Sequence, residues 1–188
     1  MTTLLITILV IAAIIGLLFL YGISAFNSLV HYQAMAKEAF SSIDVQLKRR
    51  YDLIPNLVAV VDQYRIHERD VLENVTKMRS LSMSATTVDQ KADAERGLTG
   101  ALKTLFAVAE NYPQLKANEN FLTLQSQLAG LETEIQLARR YYNGATRNYN
   151  VSARSFPANV IASLFGFSQM SYFELDNNSE REVPKVKF

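Results

Sequence analysis

The sequence predicts an all-α protein: an N-terminal transmembrane helix that continues into an antiparallel bundle of long helices. Three observations carry that reading. The first charged side chain is Lys37, so the chain opens on a long uncharged and mostly apolar run. Beyond it, apolar residues recur at three- and four-residue spacing almost throughout, the period of a helix with one buried face. Only 7 glycines and 4 prolines interrupt 188 residues, which suits long helices and disfavours a turn-rich β fold.

The anchor comes first. From Leu4 to Leu20 only Thr7 is polar, and Tyr21 to Phe26 continues weakly apolar. At a rise of about 1.5 Å per residue such a run crosses a hydrocarbon core of roughly 30 Å. A cleaved signal peptide would need a basic leader and a shorter apolar stretch, and neither is present. Residues 1–26 are therefore expected to be a retained single-pass anchor in the cell (inner) membrane, with Tyr21 and Phe26 at the far interface. The balance of cations near the span rests on Lys37 and leans weakly towards a cytoplasmic body.

Residues 27–152 are expected to form the bundle. Leu29, Tyr32, Ala36, Phe40, Ile43 and Leu47 make a stripe that continues from the membrane segment. The stretch "IDVQLKRRYDLIPNLV" (Ile43 to Val58) then places three cations, an Asp and a proline in the pattern. The best reading is a structural corner, with Asp52 capping and Pro55 starting a new helix, since a proline near a helix start loses no bond it needed. The alternative is one continuous helix kinked at Pro55, in which the carbonyl of Tyr51 lacks its amide partner. Ile54, Leu57, Val61, Tyr64, Val71, Val75 and Met78 share a helical spacing with one polar intruder, Glu68.

Thr87 followed by Gln90 predicts a capping box at the head of a third helix, whose face carries Leu98, Leu102, Leu105, Ala109 and Tyr112. Pro113 predicts its end. Asn118 is the expected N-cap of the last long helix, where Phe121, Leu124, Leu128, Leu131, Ile135, Ala138, Tyr142, Ala145 and Tyr149 form a heptad-type seam. Residues 153–175 read as a short apolar helix, with Pro157 in its first turn and Gly166 at its end, followed by an extended flap on the bundle. Residues 176–188 are a polar, charged tail expected to be loosely ordered.

Chemistry is sparse. A net charge of +1 gives no bulk attraction for nucleic acid, and the absence of cysteine removes thiolate ligands and nucleophiles. "HERD" (His67 to Asp70) resembles half of a zinc-protease helix, but the second histidine would stand where Val71 does. His67 is thus expected to make a polar helix contact. Glu132 and Glu134, two apart, do not face each other and are expected to be solvated. No catalytic, metal or cofactor residues are predicted, and the protein is expected not to be an enzyme. Two cationic clusters remain as a candidate interaction surface: Lys48, Arg49 and Arg50, and Arg139 and Arg140 beside Tyr141. They suit an anionic partner such as lipid headgroups or an acidic subunit face. The competing reading is a solvated helix face with arginines stacked on tyrosines and paired to Asp or Glu.

These residues also carry a resemblance. "IDVQLKRRYDLIPNLV", "HE" at His67–Glu68, "ENYPQLKANENF" (Glu110 to Phe121), "ARRYYN" (Ala138 to Asn143), "FP" at Phe156–Pro157, "FNSLV" after the anchor and the closing "VPKVKF" resemble the LemA family in content, order and spacing. The resemblance implies a bacterial, membrane-anchored, antiparallel helical bundle and no catalytic motif. Magnetosome relatives point towards membrane shaping, and relatives encoded near membrane proteases point towards an accessory binding module for a protease or signalling complex. Lipoprotein relatives favour the extracytoplasmic face, against the charge lean; this chain has no cysteine and relies on its apolar helix. The expected partners are membrane lipid, further copies of the chain and a membrane protein.

Overall fold

The computed structural model describes residues 1–64 and 68–174. The expectations for His67 and for the tail 176–188 lie outside the described residues. Among the described residues the helices are, in order, α1 (Thr2–Asp62), α2 (Arg69–Ser84), α3 (Val88–Ala109), α4 (Pro113–Lys116), α5 (Glu119–Arg154) and α6 (Ala158–Leu164). No strand occurs among the described residues.

The expected corner at Asp52 and Pro55 is not there. α1 runs unbroken from Thr2 to Asp62 with Pro55 inside it, and Asp52 is an exposed residue mid-helix rather than a cap. The physical reason lies in the apolar phase. Leu29, Ala36, Ile43, Leu47, Ile54, Leu57 and Val61 are all buried on one continuing stripe, so a break at Pro55 would turn half of it to water. α1 instead ends at Asp62 and α2 begins at Arg69, so the stretch expected as one helix from Ile54 to Met78 is divided between α1 and α2. Asn118 Nδ2 donates to the Tyr64 hydroxyl at 2.9 Å, and the Tyr112 hydroxyl donates to Glu68 at 2.7 Å.

Among the other predicted ends, α3 stops at Ala109, short of Pro113 and with Tyr112 outside it as the N-cap of α4, and Pro157 is the N-cap of α6 rather than part of its first turn; the rest stand. Thr87 and Gln90 form a reciprocal capping box on α3. α4 starts with Pro113 in its first turn, and Asn118 Oδ1 accepts from the Phe121 amide at 2.9 Å at the head of α5. α6 ends with Gly166 at φ +72°, and the Phe167 amide donates to the Ala162 carbonyl at 2.9 Å, which is a Schellman closure.

The chain divides into two compact units. Unit 1 comprises Met1–Phe40 and Tyr141–Met170. Its buried residues include Ala25, Leu29, Ala36 and Ala39 from α1, Tyr142, Ala145 and Tyr149 from α5, and Ala162 from α6. Small residues on one helix leave room for tyrosine rings on the other, and Phe40 packs on Tyr142 with ring centroids 5.5 Å apart. The final segment is held by α5. Asn150 donates to the Met170 carbonyl and accepts from its amide, both at 2.9 Å, and the Tyr149 hydroxyl donates to the Ser168 carbonyl at 2.8 Å.

Among the described residues, unit 2 comprises Ser41–Arg140 and Ser171–Glu174. Side-chain pairs fix its helix directions. Asp44 meets Lys91 and Arg50 meets Thr99, so α3 runs parallel to this part of α1. Tyr64 meets Asn118 and Arg50 meets Glu132, so α5 runs antiparallel to it. α2 connects to α3 through three residues and returns antiparallel, giving a four-helix arrangement with α4 as a one-turn link.

Candidate functional site

The motif from Ile43 to Val58 builds a buried polar cluster in unit 2. On α1, position 50 falls between Leu47 and Ile54 on the apolar stripe, so its side chain must point inward. On α3, position 95 falls one turn before Leu98 on that helix's stripe and also points inward. Arg50 and Glu95 are 5% and 2% exposed, and two opposite charges at such depth must pair.

They do. Arg50 Nη1 lies 3.3 Å from Glu95 Oε2 and 3.1 Å from Glu132 Oε2, while Nη2 donates to the Thr99 hydroxyl at 2.9 Å. The remaining Glu95 oxygen accepts from the Tyr51 hydroxyl. One arginine thus joins α1 to α3 and α5, and the carboxylate it meets is engaged at both oxygens.

Pro55 belongs to the same construction. Its ring nitrogen carries no hydrogen, so the Tyr51 carbonyl four residues earlier loses its helical donor. Arg79 Nε of α2 donates to that carbonyl at 2.7 Å. The proline therefore does not break α1; it opens one acceptor that a neighbouring helix fills. A carbonyl of this kind left unpaired would cost about 1–3 kcal/mol.

Burial sets the electrostatics. It pushes the Glu95 carboxyl above the usual carboxylate range, and the Tyr51 hydrogen bond and the Arg50 guanidinium offset only part of that rise. Burial, then the Glu95 charge, drive the Tyr51 phenol upward, so Tyr51 keeps its proton and remains a donor. Chemically the cluster is suited to fixing helix register: every charged group is answered by another helix, and a shift by one turn would strand Arg50 or Glu95 in apolar surroundings.

The predicted cationic surface is divided by this geometry. Lys48 and Arg49 are exposed, but Arg50 is withdrawn from that surface into the core, because its place in the helix phase overrides its neighbours in sequence. Glu132, expected to be solvated, is the half-buried partner of Arg50, whereas Glu134 is exposed. Arg139 is half-buried with its guanidinium 5.3 Å from the centroid of the Phe173 ring, so the arginine stacks on an aromatic, though a phenylalanine rather than a tyrosine. Arg140 and Tyr141 are exposed. Glu95, Thr99 and Arg79 are not singled out by the sequence, and Tyr51 is only for its carbonyl; the available signal is a charged residue on an apolar stripe in each of two helices.

An exposed groove of about 570 Å³ lies on another face of unit 2, lined by Arg49, Asp52 and Leu53 of α1 and by Gln127, Gly130, Leu131 and Glu134 of α5. Leu53 and Leu131 form the half-buried floor, and charges of both signs stand on the rim.

Comparison with known proteins agrees with this architecture. Magnetosome protein MamQ 1 of Paramagnetospirillum magneticum is 24% identical over 175 residues, covering 79% of this chain and 64% of its own length. Magnetosome protein MamQ of Magnetospirillum gryphiswaldense is 24% identical over 174 residues, with the same coverage. The chain therefore spans somewhat under two thirds of the length of these relatives. Protein LemA of Metamycoplasma hominis is 26% identical over 165 residues, covering 85% of this chain and 74% of its own. The LemA family model matches residues 39–188, from the last turn before the cationic motif to the C-terminus, and the chain belongs to the LemA family.

Proposed function

We propose that this protein is a non-enzymatic scaffold, anchored in the cell membrane by a single pass of α1, whose helical body self-assembles and organises the membrane it sits on. The membrane part of the reading is supported by α1. Its N-terminal stretch is uncharged, long enough to span, and wholly exposed. Relatives named as magnetosome proteins fit a membrane-associated role.

The observation that carries self-assembly is the groove between α1 and α5. An apolar floor with Arg49 and Asp52 of α1 on one wall and Glu134 of α5 on the other carries both signs of charge, so it can complement a second copy of itself. A second copy rotated by half a turn can therefore place each arginine against an acid. The motif's deepest cation, Arg50, is consumed inside the core, so the exposed Lys48 and Arg49 are what remains for a neighbour or for lipid headgroups.

Light scattering after size exclusion of the full-length protein in mild detergent tests this. The wild type should run as an oligomer, and Gly130→Trp should lower its mass, since a Cβ at Gly130 meets no atom within 4 Å and the indole beyond it would occupy the groove that Gly130 lines. A strict monomer in several detergents would overturn the proposal, and an unchanged oligomer in Gly130→Trp would move the interface elsewhere.

A further inference from the structure

We infer that α6 and the turn after it form a second membrane contact, seated in the headgroup–acyl boundary of the leaflet from which α1 emerges. The inference rests on α1 being the anchor and extends that reading to a part of the chain far from it in sequence.

Unit 1 places α6 against the upper end of the apolar span. About 20 residues of helix cross the hydrocarbon core, so a span opening at Leu4 reaches the far interface near Ile23. Ile161 of α6 packs at this level, with its Cδ1 3.7 Å from where a side chain on Gly22 would begin. Phe165 and Phe167 pack edge-on against Phe26, with centroids 4.9 and 5.6 Å away. Between them lies a groove of about 390 Å³, lined by Leu18, Phe19, Gly22, Ile23, Phe26, Ile161 and Phe165, and continuous with the exposed surface of the span. Its walls carry no polar side chain, which suits an acyl chain.

The outward side of α6 is apolar as well. Val160 and Leu164, one turn apart on α6, and Phe156, just before the helix, are 57%, 75% and 83% exposed. No charged side chain occurs from Ser155 to Phe173, and the stretch is bracketed by Arg154 and Glu174. Arg154 is exposed at the end of α5, placed to reach a lipid phosphate. A seven-residue helix would bind a bilayer feebly from solution. Here the anchor holds it at the surface, so only local seating is needed.

The chain contains no tryptophan, so single tryptophans report depth without background. The full-length protein is reconstituted in vesicles of phosphatidylcholine and phosphatidylglycerol, with the phosphatidylcholine brominated either near the headgroup or near the chain end. Leu164→Trp and, one turn away, Val160→Trp should emit at blue-shifted wavelengths and be quenched chiefly by the shallow bromine. Leu9→Trp should be quenched chiefly by the deep bromine, and Gln136→Trp by neither. Quenched Leu9→Trp with both α6 reporters unquenched overturns the inference and leaves the anchor intact. Unquenched Leu9→Trp overturns the anchor itself. Blue-shifted α6 reporters that are unquenched and depend on the protein-to-lipid ratio assign the face to a second copy, and also overturn it.

Discussion

The two units solve opposite problems with the same helices. Unit 2 hides charge: Arg50, Glu95 and Tyr51 stand where leucines would serve, and each is answered by a partner. Unit 1 displays apolar surface: the N-terminal part of α1 and the outward face of α6 are exposed and uncharged. Both departures from the inside-apolar rule have a cause. A buried charge must be paired, and an exposed apolar face needs a solvent other than water. The first kind of departure specifies a fold, and the second specifies an environment. Breaking each in turn should separate them.

The largest effect is expected at Arg50. Arg50→Met leaves Glu95 buried without its cation and should destabilise unit 2 by roughly 3–5 kcal/mol, read as a lowered denaturant midpoint of the detergent-extracted protein. Adding Glu95→Gln removes the stranded charge and keeps an acceptor for Tyr51, so the double variant should recover much of the loss. A double variant no more stable than Arg50→Met would mean that the cation serves packing rather than charge.

The pH dependence follows from the same carboxyl. Burial raises the Glu95 acid above its unfolded value, so the folded protein holds that proton more tightly than the unfolded chain does. Its contribution is complete below the unfolded pKa and is lost as pH rises through the folded one. Wild-type stability should therefore fall as pH rises above the ordinary carboxylate range, and Glu95→Gln should flatten that slope. An identical slope in the two proteins would place the titrating group elsewhere.

Next in size is the Pro55 acceptor. Arg79→Leu leaves the Tyr51 carbonyl without a donor and should cost about 1–3 kcal/mol. Pro55→Ala restores a helical amide to that carbonyl, so the loss from Arg79→Leu should shrink in the Pro55→Ala background. A double-mutant cycle measures this coupling, and additive losses would show that Arg79 acts through packing alone.

How much of this was legible in the sequence depends on whether local or distant atoms decide. The capping box at Thr87, the cap at Asn118, the seam of α5 and the Gly166 terminus each rest on neighbours in the chain, and the structure contains them as read. Pro55 misled because its local preference for a helix start is real, while the donor that makes it tolerable sits on another helix. The continuous phase through Leu47, Arg50, Ile54 and Leu57 was the contrary signal, and it required treating a cation as a stripe residue. Arg50 and Glu95 are both such residues, 45 positions apart, and spacing along one helix does not pair them. The groove beside Leu53 and Leu131 depends on packing between helices, which periodicity alone does not give.

The smallest expected effect returns to unit 1 and tests whether its order is independent of the ion cluster. Asn150 is 3% exposed and holds both backbone groups of Met170, acting as one extra peptide unit for an extended segment that has no strand beside it. Met170 itself is half-buried, so water can replace part of what Asn150 supplies. Asn150→Ala should therefore cost only about 1 kcal/mol, near the net worth of a single hydrogen bond. It should still speed amide exchange at Met170, whose donor would lose its fixed acceptor. Exchange at buried positions of α3 such as Leu98 should not change. If α3 exchanged faster too, the two units would share one cooperative opening, and the contrast between hidden charge and displayed apolar surface would describe two faces of one folding unit.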